Sequence, residues 1–313
     1  MNYRYLFGPV PSRRLGVSLG VDLVEKKTCN LNCVYCECGE APSMPSDRKE
    51  FVKVEDVILE LKDYLSKGMH LDYITFSGYG EPSLNSGLGE LVKEIKKITD
   101  TKICLITNST TLVNKDIYSE LMDIDLIMPS LDAVLKESFL KIDRPHSSVN
   151  LDKIIDALID FSKVYKGKIF LEIFMLEGIN DTEEELNKFV EIIKKIGVDR
   201  VQLNSLDRPA PVKWVKAMSM KRLEEIKNFF IKNNIDTEII KKYKSRLDYK
   251  QFNTNYEKLI LNMLEKRPCT LEDLKEILEV EERELGNYID ILLKEEIIQV
   301  EIEKRGIFYR KKQ

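Results

Sequence analysis

The sequence predicts an α/β fold, a parallel sheet with helical crossovers that closes into a partial barrel, followed by a small second domain. Three features of the 313 residues lead there. Short apolar runs alternate with amphipathic segments from about residue 15 to 240, no hairpin signal separates the runs, and the pattern changes after a basic stretch that begins at Lys241.

Taken in order, Leu15–Val24 reads as a first strand. Asp72–Ser77, Lys102–Thr107, Leu126–Leu131, Lys168–Leu176 and Arg200–Leu206 read as five more. Between them, Val54–Ser66 and Leu88–Ile98 repeat apolar residues at helical spacing, as Leu88, Leu91, Val92, Ile95 and Ile98 illustrate. Leu151–Val164 and Asp181–Ile196 behave alike, and the second opens on acidic residues that complement a helix dipole. Six β–α alternations predict a partial (β/α)6 TIM-like barrel over 1–240, with a doubly wound sheet as the alternative. Either places functional side chains at the carboxyl ends of the strands. Residues 241–253 read as a basic linker. In 254–313, three short helices followed by a strand–turn–strand give the order of a winged-helix domain.

Composition narrows the class. Hydrophobic residues at 43% and charged residues at 33% fit a globular chain with a proper core, and a net charge of −4 argues against a general nucleic-acid coat. Met1–Arg14 has no apolar run and carries two prolines, so no signal peptide is predicted and the expected location is cytoplasmic.

The chemistry concentrates in the cysteines. Of six, Cys29, Cys33, Cys36 and Cys38 fall within ten residues directly after the first strand. Such crowding makes a poor disulfide framework and a good metal site. Thiolates at i, i+4 and i+7 can reach three irons of one cubane and leave the fourth iron open. A zinc knot is the competing reading, but four ligands in ten residues crowd a tetrahedron. Cys104, inside an apolar run, reads as a core residue, and Cys269 as structural.

The spacing C-x3-C-x2-C, with Tyr35 before the third cysteine, resembles the radical S-adenosylmethionine (SAM) superfamily. The resemblance implies a [4Fe–4S] cluster on Cys29, Cys33 and Cys36, with SAM chelated at the open iron. It also implies reductive cleavage to a 5′-deoxyadenosyl radical that abstracts hydrogen from a substrate, and a reductant such as flavodoxin or ferredoxin. Ser77–Pro82 (SGYGEP) is similar to the superfamily's glycine–glutamate motif that holds the methionine amino group. On that basis Tyr35, Gly78, Gly80, Glu81, Asn108, Ser130, Asp132 and Asn204 are the expected SAM contacts, the later ones by their place at strand ends. Glu81→Ala is expected to weaken SAM binding more than folding. Phe7–Gly16, Pro129–Ala133, Arg144–His146, Gly178–Asp181 and Leu203–Pro209 further resemble the branch of the tRNA wyosine-base synthases, over roughly residues 5–240. The wyosine-base synthases themselves carry extra cysteines ahead of the triad for a second cluster, and no cysteine precedes Cys29 here.

Cys38 and His146 are the candidate catalytic residues, one beside the triad and one in the Arg-Pro-His turn. His70 reads as solvated. Arg13, Arg14, Arg144 and Arg208 are candidate anion ligands, with structural salt bridges as the alternative. Residues 254–313 hold 11 Lys and Arg against 14 Asp and Glu, and Glu281, Glu282, Glu284, Asp290, Glu295 and Glu296 lie on or beside the third helix. Those carboxylates would face phosphates in a major groove, which disfavours an Fe–S redox-sensing DNA regulator. Lys241, Lys242, Lys244, Arg246 and Lys250, interleaved with Tyr243 and Tyr249, suit RNA. The resemblance to the wyosine-base synthases implies an RNA base as the leading substrate class, and a peptide presented by the winged helix is the rival. Because every cofactor motif lies before residue 210, removing 254–313 is expected to leave SAM cleavage intact.

Overall fold

The computed structural model describes residues 3–12, 14–24, 27–42, 44–206, 210–240, 256–278 and 282–312. The basic stretch 241–253, Arg13, Arg208 and Glu281 therefore lie outside the described residues.

Eight strands form one sheet in chain order: β1 (Leu6–Ser12), β2 (Gly16–Val21), β3 (Tyr73–Phe76), β4 (Lys102–Thr107), β5 (Leu126–Pro129), β6 (Lys168–Phe174), β7 (Arg200–Asn204) and β8 (Thr237–Ile239). From β2 to β8 every pairing is parallel. Helices α1 (Val54–Leu65), α2 (Leu88–Ile98), α3 (Tyr118–Leu121), α4 (Lys136–Ile142), α5 (Leu151–Val164), α6 (Glu183–Ile196) and α7 (Met220–Lys232) make the crossovers. The six strands expected from the sequence are present, and the arrangement is the partial TIM-like barrel.

Local signals explain the boundaries. In α2, Leu88, Leu91, Val92 and Ile95 are all buried, so one apolar stripe faces the sheet. The N-terminus of α5 is capped by Asn150, whose side chain accepts from Lys153 N–H at 3.0 Å. Thr182 does the same for α6, which stops at Gly197 in the left-handed region. Ile74, Ile103, Leu105, Ile127, Leu171, Ile173, Val201 and Leu203 are fully buried between strands and helices. The barrel interior holds a smaller apolar cluster of Leu15, Cys104, Leu126 and Met128, which confirms Cys104 as a core residue.

One expectation is corrected at the amino end. Leu6–Ser12 is a strand, and it forms an antiparallel hairpin with β2. Pro9 and Pro11 are compatible with it because β1 is an edge, where missing N–H groups face away from the ladder. A register shift between Phe7 and Val10 bends the strand. The sequence reading also omitted α7 and β8.

The C-terminal segment has the three expected helices and terminal strand pair, with a short strand β9 that was not expected: α8 (Tyr256–Lys266), β9 (Cys269–Thr270), α9 (Leu271–Leu278), α10 (Glu282–Lys294), β10 (Ile298–Glu303) and β11 (Gly306–Lys311). The three strands form an antiparallel sheet ordered β10–β11–β9. Ile260, Leu264, Cys269, Leu274, Leu285, Ile289 and Leu292 build a core of its own. Helix α9 packs against β1, so this segment covers the open edge of the barrel sheet.

Candidate active site

The cysteine loop leaves the carboxyl end of β2 and is pinned from below. Asn32 N–H donates to Asp143 carbonyl and Val34 N–H to Ile142 carbonyl, both at 2.9 Å, while Val34 and Leu31 are buried. Anchored this way, Cys29, Cys33, Cys36 and Cys38 remain half-buried free thiols. Cys29 Sγ accepts from Leu31 N–H at 3.5 Å and from Asn108 Nδ2 at 3.4 Å. Cys33 Sγ donates to Asp143 Oδ1 at 3.3 Å. Burial pushes the Cys29 thiol up to about 12 and Cys33 well above its ordinary value. Cys36 is brought down to about 6 by its hydrogen bond with Cys38, with the Lys27 ammonium helping. Lys27 is itself buried and donates to Gly39 carbonyl. Neither Lys27 nor Asp143 was singled out by the sequence reading, since neither belongs to a spaced motif.

The Ser77–Pro82 turn lies against this loop. Glu81 N–H donates to Thr28 carbonyl at 3.0 Å, and a Cβ added at Gly80 would fall 1.9 Å from that same oxygen. Only glycine permits so close an approach. Gly78 has φ +141°, its carbonyl accepts from Cys38 Sγ at 3.5 Å, and a Cβ there would meet the Asp22 carboxyl. Glu81 is 2% exposed, and its carboxylate accepts from Ser83 N–H and hydroxyl, Thr107 hydroxyl at 2.7 Å and Asn108 N–H at 2.6 Å. The sequence reading gave this side chain little part in the core. In the fold it ties the ends of β3 and β4 together, because Ser83 on its own turn and Thr107 and Asn108 at the end of β4 all donate to it.

Tyr35 stacks on Phe174 with ring centroids 3.7 Å apart, and its hydroxyl donates to Asp132. Asp132 accepts from Phe174 N–H at 2.7 Å through its other oxygen, and its carbonyl accepts from Asn180 Nδ2. Asp132 and Asp143 hydrogen-bond to each other, and burial raises both carboxyls, Asp132 to about 6. The structure thus brings Tyr35, Gly80, Glu81, Asn108 and Asp132 around the cysteine loop.

The remaining candidates lie further off. Ser130 bridges to Glu172 in the sheet, and Asn204 Nδ2 reaches Glu172 Oε1 at 3.4 Å. Arg14 forms an ion pair with Glu172, so the structural alternative holds for it. His146 N–H donates to Asn30 carbonyl at 3.0 Å, placing it near the triad, but its ring turns to Ser148 at 2.8 Å. His70 is exposed beside Asp72, as expected.

A cavity of about 660 Å³ opens beside the loop. Phe7, Cys38, Gly78 and Tyr79 line it from the barrel, and Met263 and Lys266 from α8. Cys29, Cys33 and Cys36 do not line it.

The donor set fits an iron–sulfur cubane. Three soft thiols stand on one short loop, and the glycine turn lets main chain approach it.

Comparison with known proteins agrees with this geometry. The radical SAM superfamily model matches residues 27–190, and the chain belongs to that superfamily, whose enzymes bind a [4Fe–4S] cluster and SAM. A UPF0026 protein of Methanocaldococcus jannaschii is 34% identical over 87% of this chain and 85% of its own length. A protein of Brachyspira hyodysenteriae named GTPase Obg is 39% identical over 85% of this chain, which spans only 39% of it. Among solved structures, a radical SAM methyltransferase from Sphaerobacter thermophilus superposes with TM-score 0.55 at 15% identity, over 71% of this chain and 65% of its own. Streptococcus suis SuiB bound to S-adenosylmethionine superposes with TM-score 0.55 at 14% identity, over 76% and 54%. These two likenesses concern the fold.

Proposed function

We propose that this radical SAM enzyme acts on a compact group held in the 660 Å³ cavity, with an RNA base as the leading substrate class. The observation that carries the reading is that the cavity meets the cysteine loop and the glycine turn at Cys38 and Gly78. When bound, the cluster and SAM supply the electron transfer and the hydrogen abstraction. Cys29, Cys33 and Cys36 would hold the cluster. The main chain at Gly78 and Gly80 and the side chains of Glu81, Asn108, Ser130, Asp132 and Asn204 would orient SAM, with Tyr35 packed behind the loop. Cys38 stands where substrate and cofactor sides meet and can position or protonate a reacting group. His146 is the second candidate, acting from the Asn30 side.

The C-terminal segment is read as a winged-helix domain that recognises substrate. Phe7 and Tyr79 offer aromatic surface to a base, and Lys266 stands over both rings at 4.4 and 5.9 Å. A peptide is the second reading, favoured by the fold neighbour SuiB, which has been seen bound to its precursor peptide SuiA. A cytoplasmic location and reduction by flavodoxin or ferredoxin complete the reading. To test it, the reduced protein is supplied with SAM and either an RNA pool or a peptide pool. RNA should accelerate formation of 5′-deoxyadenosine. Acceleration by peptides alone would replace the RNA reading.

A further inference from the structure

The structure carries a contact chain from the C-terminal segment into the glycine turn. Lys266, the last residue of α8, places Nζ 3.3 Å from Asp22 Oδ2, with the two side chains only 19% and 7% exposed. Asp22 follows β2 and uses that same oxygen to accept from Tyr79 N–H at 3.1 Å, while its other oxygen accepts from Val24 N–H at 3.4 Å. Its carboxyl packs on Gly78, where an added Cβ would lie 2.4 Å from Asp22 Cγ. Gly78 carbonyl in turn accepts from Cys38. Two further ties run alongside: Tyr79 hydroxyl donates to Glu265 carbonyl, and Arg310 of β11 donates to Glu37 carbonyl at 3.4 Å.

A sequence-remote segment thus grips both halves of the site, the turn at Asp22–Gly78–Tyr79 and the cysteine loop at Glu37. The charge pair matters here because Asp22 is nearly buried. Without Lys266 its carboxylate would lack the only cation within 4 Å among the described residues, and its hold on Tyr79 N–H would change with its protonation.

We propose that Lys266 is a positioning residue for SAM, acting through Asp22 on the Gly78–Glu81 turn, so that the cofactor site is complete only with the C-terminal segment docked. The inference rests on the reading of that turn as the SAM-holding turn. It makes the C-terminal segment part of the cofactor site in addition to its reading of substrate.

The test is equilibrium binding of SAM to the full chain, anaerobically reconstituted, with the change in the reduced cluster's electron paramagnetic resonance spectrum on adding SAM as a second readout. Lys266→Ala should weaken binding by about tenfold, the scale of losing one partner of a largely buried charge pair. Lys266→Arg should restore it to within about threefold, because a guanidinium can still reach Asp22. Asp22→Asn should give a loss that does not add to that of Lys266→Ala. Lys275→Ala, in an exposed pair with Glu282 of the same segment, is the control and should bind as wild type. If Lys266→Ala fails to fold, Tyr79→Phe removes only the hydroxyl tie to Glu265 and should still weaken binding. Wild-type affinity in Lys266→Ala alongside a loss in Glu81→Gln, which keeps the side chain's size and an acceptor oxygen, would overturn the proposed latch alone. Wild-type affinity in both would overturn the assignment of the turn as well.

Discussion

Glu81 holds the SGYGEP turn to the end of β4 through a buried carboxylate. The motif SGYGEP marks the residue in the sequence, but spacing alone does not reveal that Ser83, Thr107 and Asn108 converge on its carboxylate. Ser83 belongs to the same turn, whereas Thr107 and Asn108 come from the end of β4, and only the parallel β3–β4 pairing brings them to Glu81. To the expectation that Glu81→Ala weakens SAM binding more than folding, the structure adds a cost to the fold. Removing a buried acceptor for four donors should cost about 2–4 kcal/mol, since each unpaired buried donor carries its own penalty. Thermal unfolding of the apoprotein measures this, and Glu81→Gln should recover part of the loss. Unchanged melting in Glu81→Ala would contradict the tie. Asp143 and Lys27 escaped the sequence reading for a related reason. Each acts on the cysteine loop through a contact that no motif records, Asp143 across 110 residues to Cys33 and Lys27 onto Gly39.

At the scale of elements, the parallel strands were legible because they are buried on both faces and read as apolar runs, as with Ile103–Leu105 and Leu126–Met128. The hairpin at β1 was not, because its prolines suggest irregular chain unless an edge position is known. Strand β8 has three residues, too few to set a period. The cysteine loop and glycine turn behave as one element, locked where Gly80 meets Thr28 carbonyl. Gly80→Ala should push the loops apart and lower iron incorporation well below the about four irons of one cubane. Iron and sulfide analysis after anaerobic reconstitution decides it, and full iron in Gly80→Ala would mean the loops can part without cost. Alanine at Cys29, Cys33 or Cys36 should abolish the cluster. Cys104→Ala should keep it, because that thiol is packed in the barrel interior with Leu126 and Met128.

For the whole molecule, the order of the C-terminal elements was readable from composition and period, whereas their docking was not. Tyr79, Asp22 and Glu37 look like ordinary loop residues until Glu265, Lys266 and Arg310 are seen against them. Under the proposed latch through Lys266 and Asp22, SAM binding depends on residues 254–313, contrary to the expectation that cleavage is independent of them. With an excess of carboxylates in that segment, tight salt-tolerant binding to duplex DNA is not expected. A mobility-shift titration across salt concentrations checks this, and nanomolar protection of a defined operator would favour a regulator instead. The central claim is that this chain cleaves SAM reductively at a cluster held by its cysteine triad. Its most direct measurement is chromatography of the nucleosides formed when reduced, reconstituted protein meets SAM. The wild type should release 5′-deoxyadenosine, and Cys29→Ala, Cys33→Ala and Cys36→Ala should release none. Methylthioadenosine alone, or equal 5′-deoxyadenosine from the triad variants, would contradict it.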